Sequence, residues 1–525
     1  MNRSFSAREA VSFGSRLFFF VCAVVAGADF RVSTLPHRLE YSPTPEKRLI
    51  ETMTGGVAAF DYNNDGFVDL FFANGAEQPS LRKTAARFWN RLYRNEGGKG
   101  FVDVTESAGL RGEGFSMGAA AGDFDNDGWV DLFVSGVNGS SRLYRNVRGV
   151  FKAVALPLVP GWAVGGGWFD FDRDGFLDLF VVKYVVWDPM KEPACGDPVR
   201  TYCHPREYAG SPNQLLRNNR DGTFTDVSVA SGIRGFTGKG MSVAFGDIDD
   251  DGWPDAFVTN DTVPNFLFRN RGDGRFDEIA VRAGVALNDD GRALSAMGVD
   301  FRDIDNDGRD DLFYTALVNE TFPFLRNLGK LLFADLTYVS RIGAATLTRS
   351  GWGAGIFDFD NDGRKDLFVA GGDVQTNAEA YSSRKSRQPC QLLWNEGSLK
   401  FRTEDVGDPA LHRGSAFADF DNNGTIDIAV SRLGAEPVLL WNRGGAGRHW
   451  IGFRMKGLGA RFSIDGGQHN HSTTAVGYAS SSDPRVHFGL GSSATVREVV
   501  VRWPSGKMQK IANPGVDRYL DIAEP

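Results

Sequence analysis

Residues 117–136 read MGAAAGDFDNDGWVDLFVSG. A run of small residues leads into Asp123, Asp125 and Asp127, alternate positions that turn three carboxylates to the inside of one tight curl. Gly128 permits the left-handed turn that follows, Trp129 offers a backbone carbonyl, and Asp131 closes the curl before the apolar strand DLFVSG. A hard cation such as calcium needs six to eight oxygen ligands at roughly 2.4 Å, and a short chain supplies them by this kind of winding. Asp-Gly pairs also make hairpin turns without metal, but such a turn has no use for carboxylates at positions 1, 3, 5 and 9. Crowding them together without a cation is strongly repulsive.

The same nine-residue pattern, D-x-[DN]-x-[DN]-G-x-x-D, starts at Asp61, Asp123, Asp170, Asp247, Asp303, Asp358 and Asp419. The predicted ligands are Asp61, Asn63, Asp65 and Asp69 in the first loop, then Asp123, Asp125, Asp127 and Asp131 in the second. Asp170, Asp172, Asp174 and Asp178 form the third, and Asp247, Asp249, Asp251 and Asp255 the fourth. The fifth is Asp303, Asp305, Asp307 and Asp311, the sixth Asp358, Asp360, Asp362 and Asp366, and the seventh Asp419, Asp421, Asn423 and Asp427. Up to seven calcium ions are expected, held more weakly in the first and seventh loops, where an Asn replaces one Asp. An EF-hand is excluded because no helical periodicity flanks the loops and no Glu stands at position 12.

Each loop has a small-residue strand before it and an apolar strand after it, and a second hairpin signal follows, as in RLYRNEGGKGFVDVT (91–105), QLLRNNRDGTFTDVS (214–228) and FLFRNRGDGRFDEIA (266–280). Four strands per unit is the content of a propeller blade, so seven loops predict an all-β, seven-bladed propeller. At 525 residues the chain is too long for one ordinary core, which agrees with a repeat architecture. The glycine-rich strand before each loop, for instance Gly165-Gly166-Gly167, is expected innermost, where blades crowd the axis. The segment from Phe30 to Leu39 is expected to add an outer strand to the last blade and close the ring.

The first 28 residues have the pattern of a signal peptide: Arg3, Arg8 and Arg16, an apolar run from Leu17 to Ala26, and a small-residue site at Ala26-Gly27-Ala28. The mature chain is then expected to begin at Asp29, to be secreted into an extracellular or periplasmic space, and to contain no membrane span. Loss of Arg3, Arg8, Arg16 and Glu9 takes the formal charge from −8 to −10, and seven divalent ions would bring it to +4. In an oxidising compartment Cys195 and Cys203, in CGDPVRTYC, are expected to form a disulfide, leaving Cys390 unpaired. No basic run or recognition module points to nucleic acid. Gly114-Phe115-Ser116-Met117-Gly118 fits a nucleophile elbow in letters, but it lies in a strand with no helix after it. Arg271-Gly272-Asp273 is explained by hairpin turn chemistry, and His469 and His471 read as part of a solvated loop.

From Gly444 the aspartate pattern stops, and HWIGFRM, RVHFGL and VREVVVRW read as strands of a second, small β-sandwich-like domain over 444–525, after a propeller over 29–443. The loops resemble the FG-GAP (VCBS-type) repeats of the integrin α-chain propeller. The tail resembles the ASPIC/UnbV domain through RHWIGFRMKG, GYASSSDPRVHFGLG and VVVRWPSGKMQ. Together they resemble the cartilage acidic protein family, including its bacterial-type members, as does the insertion around Cys195, Cys203 and Pro205. The tail departs from the family at Gly457-Leu458-Gly459-Ala460-Arg461, where a longer segment is usual. The resemblance implies architecture more than activity. The leading expectation is a non-catalytic, calcium-binding scaffold or adhesion-type module for an extracellular protein or glycan. The competing expectation is a calcium-dependent polysaccharide lyase or hydrolase using Tyr202, His204 and Arg206 of the insertion.

Overall fold

The computed structural model describes residues 29–445 and 447–525; the expected signal peptide, 1–28, lies outside the described residues. Between Phe30 and Asn442 lie seven four-stranded antiparallel sheets, each carrying one aspartate loop. The loop always joins the first strand of a sheet to the second, as between Ser116–Gly122 and Asp131–Gly136. The first strands, from Val57–Phe60 round to His412–Ala418, each pack against the next, and the last returns to the first. The result is a closed propeller. Phe30–Thr34 pairs antiparallel with Val438–Asn442 as the outermost strand of the last sheet, so the two ends of the repeat array are sewn into one blade. Closure in this way covers the blade face that a linear array would leave exposed at each end.

Blades adhere because each presents large side chains to the small ones of its neighbour. Between the first and second blades, Phe60, Phe71 and Leu92 bury against Ala119, Ala121, Leu132 and Val134. Each such Phe or Leu contributes about 1.5–3 kcal/mol by leaving water.

The C-terminal domain consists of a four-stranded sheet, containing Arg461–Ile464 and Glu498–Arg502, and a three-stranded one built on His449–Arg454. Phe453, Phe462, Phe488 and Trp503 fill the space between them. One connection of this domain leaves it altogether. Residues 471–483, buried along their length, run into the propeller axis. There the Ser481 N–H donates to Val57 O (2.8 Å), Ala119 N–H donates to Ala479 O (3.0 Å), Gly477 N–H to Val299 O (2.8 Å) and Asp483 N–H to Phe417 O (3.1 Å). The tip, Tyr478, donates its hydroxyl to Met53 O (2.7 Å) and stands edge-on to Trp352.

The axial glycines have two causes, the expected crowding of blades and this plug. A Cβ on Gly167 would lie 2.6 Å from Phe245 of the next blade, one on Gly246 2.1 Å from Phe301 and one on Gly355 2.4 Å from Phe417, while other glycines face the plug. A Cβ on Gly56 would lie 2.1 Å from Ala479 O, and one on Gly118 2.5 Å from the same oxygen. At the far end Arg413, fully buried, donates to Thr52 O (2.6 Å) and lies 3.9 Å over the Trp352 ring.

Cutting the chain after Arg443 is therefore expected to lower the melting temperature sharply. Tyr478→Phe should cost about 1 kcal/mol for the lost hydrogen bond, and Tyr478→Ala about 3–5 kcal/mol for the cavity. Urea unfolding of the three variants measures this; a truncated propeller as stable as the full chain would remove the plug from the core.

Candidate metal centres

The seven loops share one geometry. The carboxylate at position 1 accepts the N–H of the glycine at position 6, at 2.8–3.0 Å in every loop. The side chain at position 5 accepts the N–H of position 7, at 2.8–3.0 Å. These bonds require a left-handed residue at position 4, such as Asn126 (φ 58°), and Gly128 (φ 87°) at position 6. The outcome is a ring of inward oxygens. Acidic oxygens of Asp123, Asp125 and Asp127, of Asp170, Asp172 and Asp178, of Asp247, Asp249 and Asp251, of Asp303, Asp305 and Asp311, and of Asp358, Asp360 and Asp366 lie within 4.8 Å of one another.

Several of these oxygens are orphaned. Asp172 Oδ1, Asp247 Oδ1, Asp249 Oδ1, Asp360 Oδ1 and Asp421 Oδ1 are buried without a hydrogen-bond partner. Asp249 is the clearest case, since its Oδ2 takes Arg269 Nε at 2.6 Å while Oδ1 is left without a donor. A buried carboxylate oxygen without a donor is costly. A hard divalent cation is the complement of this donor set, so the residues present fit calcium.

Position 9 plays a double part. The expectation was a carboxylate closing the cation site with both oxygens. In each loop one oxygen accepts the position-2 N–H (3.0–3.2 Å) and the other the N–H of an Asn ending the third strand (2.6–2.8 Å). Each carboxylate oxygen has a second lone pair, so these bonds orient the group without exhausting it. Burial pushes Asp69 and Asp131 up to about 8, and Asp178, Asp255, Asp311, Asp366 and Asp427 well above the carboxylate range. Burial, with the neighbouring carboxylates adding to it, raises Asp123 to about 6 and Asp358 to about 8.

Sequence reading missed the Asn itself. Asn95, Asn146, Asn218, Asn270, Asn327, Asn395 and Asn442 close the recurrent third-strand signal, RN or WN. In six of them the side-chain amide donates to the position-2 carbonyl of the preceding blade, as Asn146 does to Tyr62 O (2.8 Å) and Asn442 to Phe359 O (2.7 Å). A second bolt runs between the loops themselves. Asn64, Asn126, Asn306, Asn361 and Asn422, at position 4, each donate to the position-6 carbonyl of the next loop. The third and fourth loops have Arg173 and Asp250 there instead.

Those two loops contact the C-terminal domain through the exceptional residues. Arg173 Nε donates to Pro504 O (2.9 Å), and Arg461 Nη1 lies 3.1 Å from Asp250 Oδ1 and 3.6 Å from Asp247 Oδ2. The seventh loop is covered too, with the Tyr519 hydroxyl donating to Asp419 Oδ2 (3.0 Å) and Arg485 donating to Asp419 O (2.8 Å). His469 and His471 are not in a solvated loop. They belong to the strand Gln468–His471, and His471 is buried with Nδ1 3.4 Å from Asp310 Oδ1, because that strand lies against the fourth and fifth loops. Ser116 is buried in an inner strand, and Arg271-Gly272-Asp273 forms a hairpin turn closed by Arg271 N–H to Arg275 O. Cys195 and Cys203 are disulfide-bonded, and Cys390 is free and buried. The insertion that carries them leaves its blade after Lys183, at the end of the strand Asp178–Lys183 remote from the aspartate loop. Tyr202, His204 and Arg206 therefore lie on the face opposite the candidate cation sites.

The FG-GAP-like repeat family matches residues 61–134, 123–181, 206–258, 247–314 and 358–430, more than half of the chain. The chain belongs to this family. The C-terminal domain of this FG-GAP protein matches the ASPIC and UnbV family over residues 454–525. Among curated proteins it is similar to cartilage acidic protein 1 of Homo sapiens, 30% identical over 57% of this chain and 46% of that protein. The Xenopus tropicalis protein of the same name is 28% identical over 58% and 47%. The chain thus spans about half the length of the curated relatives it matches. Solved structures similar to it include an Agrocybe aegerita lectin with specific recognition of non-reducing terminal N-acetylglucosamine, 16% identical with a TM-score of 0.41, covering 73% of this chain and 87% of that one. Another is YCF48 from Cyanidioschyzon merolae, 11% identical with a TM-score of 0.42, covering 79% and 99%.

Two outcomes follow for the loops of this FG-GAP propeller. Raised carboxyl pKa values mean that the metal-free folded state binds more protons than the unfolded chain above the ordinary Asp value, so stability is lost as pH rises through the folded values. In chelator the melting temperature should fall between pH 5 and pH 8, as groups such as Asp123 (about 6) and Asp131 (about 8) ionise; saturating calcium should abolish that fall. Asn146→Ala leaves two buried carbonyls unpaired and should cost about 2 kcal/mol in denaturant unfolding.

Proposed function

We propose that the protein is a secreted, non-catalytic binding scaffold whose propeller is stapled by calcium in its aspartate loops. The observation that carries the reading is the set of orphaned, inward carboxylate oxygens, Asp172 Oδ1, Asp249 Oδ1, Asp360 Oδ1 and Asp421 Oδ1, repeated at the same loop position. When bound, the cation supplies charge neutralisation and a rigid loop rather than a reaction. Binding the folded state alone, it adds about 2.7 kcal/mol per site at a hundredfold excess over Kd. The N-terminal leader pattern and the disulfide Cys195–Cys203 support export.

The role as a scaffold for protein or glycan draws on the family, whose propellers are suited to adhesion-type binding. The tail domain covers much of the loop face through Arg461, Arg485 and Tyr519. The partner surface is accordingly the opposite face, which carries the disulfide-closed insertion and its exposed Val186 and Met190. The alternative of calcium-dependent glycan cleavage finds no support in the geometry, since its candidate residues Tyr202, His204 and Arg206 are at the other end of the strands from the loops.

Thermal unfolding of residues 29–525 in calcium, in magnesium and in chelator, with metal counting by mass spectrometry, tests the reading. A large calcium-specific rise in melting temperature with several ions per chain is expected. Absence of both bound metal and shift would reduce the loops to turns.

A further inference from the structure

The face opposite the aspartate loops has a cavity on the propeller axis, of about 140 Å³. A single water occupies roughly 10–15 Å³ of such space, so there is room for a small organic group. Its walls are mostly apolar or aromatic: Met53, Tyr184, Met241, Met297 and Trp352. Exposed His204 and half-buried Gln375 stand at its rim.

One carboxylate enters this surface. Asp261, only 4% exposed, follows the strand Asp255–Asn260 and is held there by its own N–H, which donates to Lys239 O (2.9 Å). Its Oδ2 accepts the Tyr184 hydroxyl at 2.6 Å, while its Oδ1 is buried with no hydrogen-bond partner. The nearby cation, Lys239, gives its ammonium to Pro205 O (2.7 Å). Ser295, also in the lining, has its hydroxyl 3.3 Å from Glu320 Oε1 and within reach of the Asp261 carboxyl, which has lone pairs to spare beyond these hydroxyls. Burial and the Glu320 charge raise the Asp261 pKa to about 6, and the Tyr184 and Ser295 hydroxyls and the Lys239 charge act in the opposite direction.

A buried carboxyl oxygen with a free lone pair, in a cavity lined by aromatic side chains and thioethers, has a natural complement. An ammonium brings N–H donors to Oδ1 and positive charge to the Tyr184 ring beside it. Anions are repelled by Asp261 and Glu320, and a neutral apolar group leaves Oδ1 desolvated and unpaired. The disulfide insertion and residues 49–53 hold the walls in place, with Tyr202 N–H donating to Gln375 Oε1 (2.9 Å) and its hydroxyl to Glu51 Oε2 (3.0 Å).

We propose that this axial cavity binds an organic ammonium ion, with Asp261 Oδ1 as the hydrogen-bond acceptor and Tyr184 beside its charge. The cation is either a free small amine or a lysine side chain presented by a partner. The site is independent of the calcium loops, which lie at the other end of the strands.

Ligand-observed NMR and calorimetry on residues 29–525 test it with n-propylammonium, Nα-acetyl-lysine amide and neutral n-propanol. Saturable binding of an amine at millimolar concentration or below is expected, with no binding of propanol and a loss of about tenfold or more in Asp261→Asn. Binding of n-propylammonium alone assigns the site to free amines; binding of both assigns it to lysine side chains as well. No saturable amine binding, or equal binding by a folded Asp261→Asn variant, overturns the proposal. Should Asp261→Asn fail to fold, tetramethylammonium decides on the unaltered protein: it has the charge but no N–H for Oδ1, so it should bind about tenfold or more weakly than n-propylammonium, and equal binding counts against Asp261 Oδ1 as the acceptor.

Discussion

Each blade is organised around a single buried carboxylate, that of Asp69, Asp131 and their five counterparts at the ninth loop position. One of its oxygens holds the aspartate loop shut through the position-2 N–H, and the other holds the third strand through the N–H of Asn95, Asn146 or their equivalents. The amide of that same Asn then reaches the preceding blade in six of the seven blades. Loop shape, strand register and blade-to-blade contact thus converge on one group. Burying a carboxylate this deeply is costly unless charge or donors compensate. Here two N–H groups supply part of the compensation, and the orphaned oxygens at positions 1 and 3 mark where a cation would supply the rest.

The two structural units are mutually dependent. Residues 471–483 leave the tail domain and become the axial core of the propeller, hydrogen-bonded to strands at Val57, Ala119, Val299 and Phe417. In return the propeller offers the tail domain its third to seventh loops as a docking surface. The local exceptions to the loop pattern have a physical reason at that interface. Where Asn at position 4 would have bolted one loop to the next, Arg173 and Asp250 contact Pro504 and Arg461 instead. The exchange trades a bond within the ring for a bond between domains.

In the proposed reading, support and recognition are kept apart. The aspartate loops and the plug brace one face and the axis, while the other face keeps the long disulfide-closed insertion and an axial cavity with Asp261 Oδ1 in its wall. Rigid support beneath a variable loop is the arrangement on which binding surfaces are usually built.

The amino-acid sequence by itself determined the blade. The alternation of Asp123, Asp125 and Asp127, Gly128 at the turn and Asp131 at its close is local chemistry, and local spacing was enough to identify loop, flanking strands and repeat. The closing strand Phe30–Thr34 was also legible, since an array of repeats needs a partner for its last edge. The recurrent Asn at the end of the third strand was present in the same signal, but its acceptor is the Tyr62-type carbonyl of another blade, so its purpose could not be read along the chain. The plug was hidden for the same reason: HSTTAVGYASSSD has neither strand alternation nor loop chemistry, because its partners are backbone groups of four different blades. The tertiary structure alone decided which glycines face a foreign chain, where His471 is buried, and that Asp261 meets Tyr184 across 77 residues. Those contacts are set by the closure of the ring, which brings distant strands to one axis, and no local pattern encodes them.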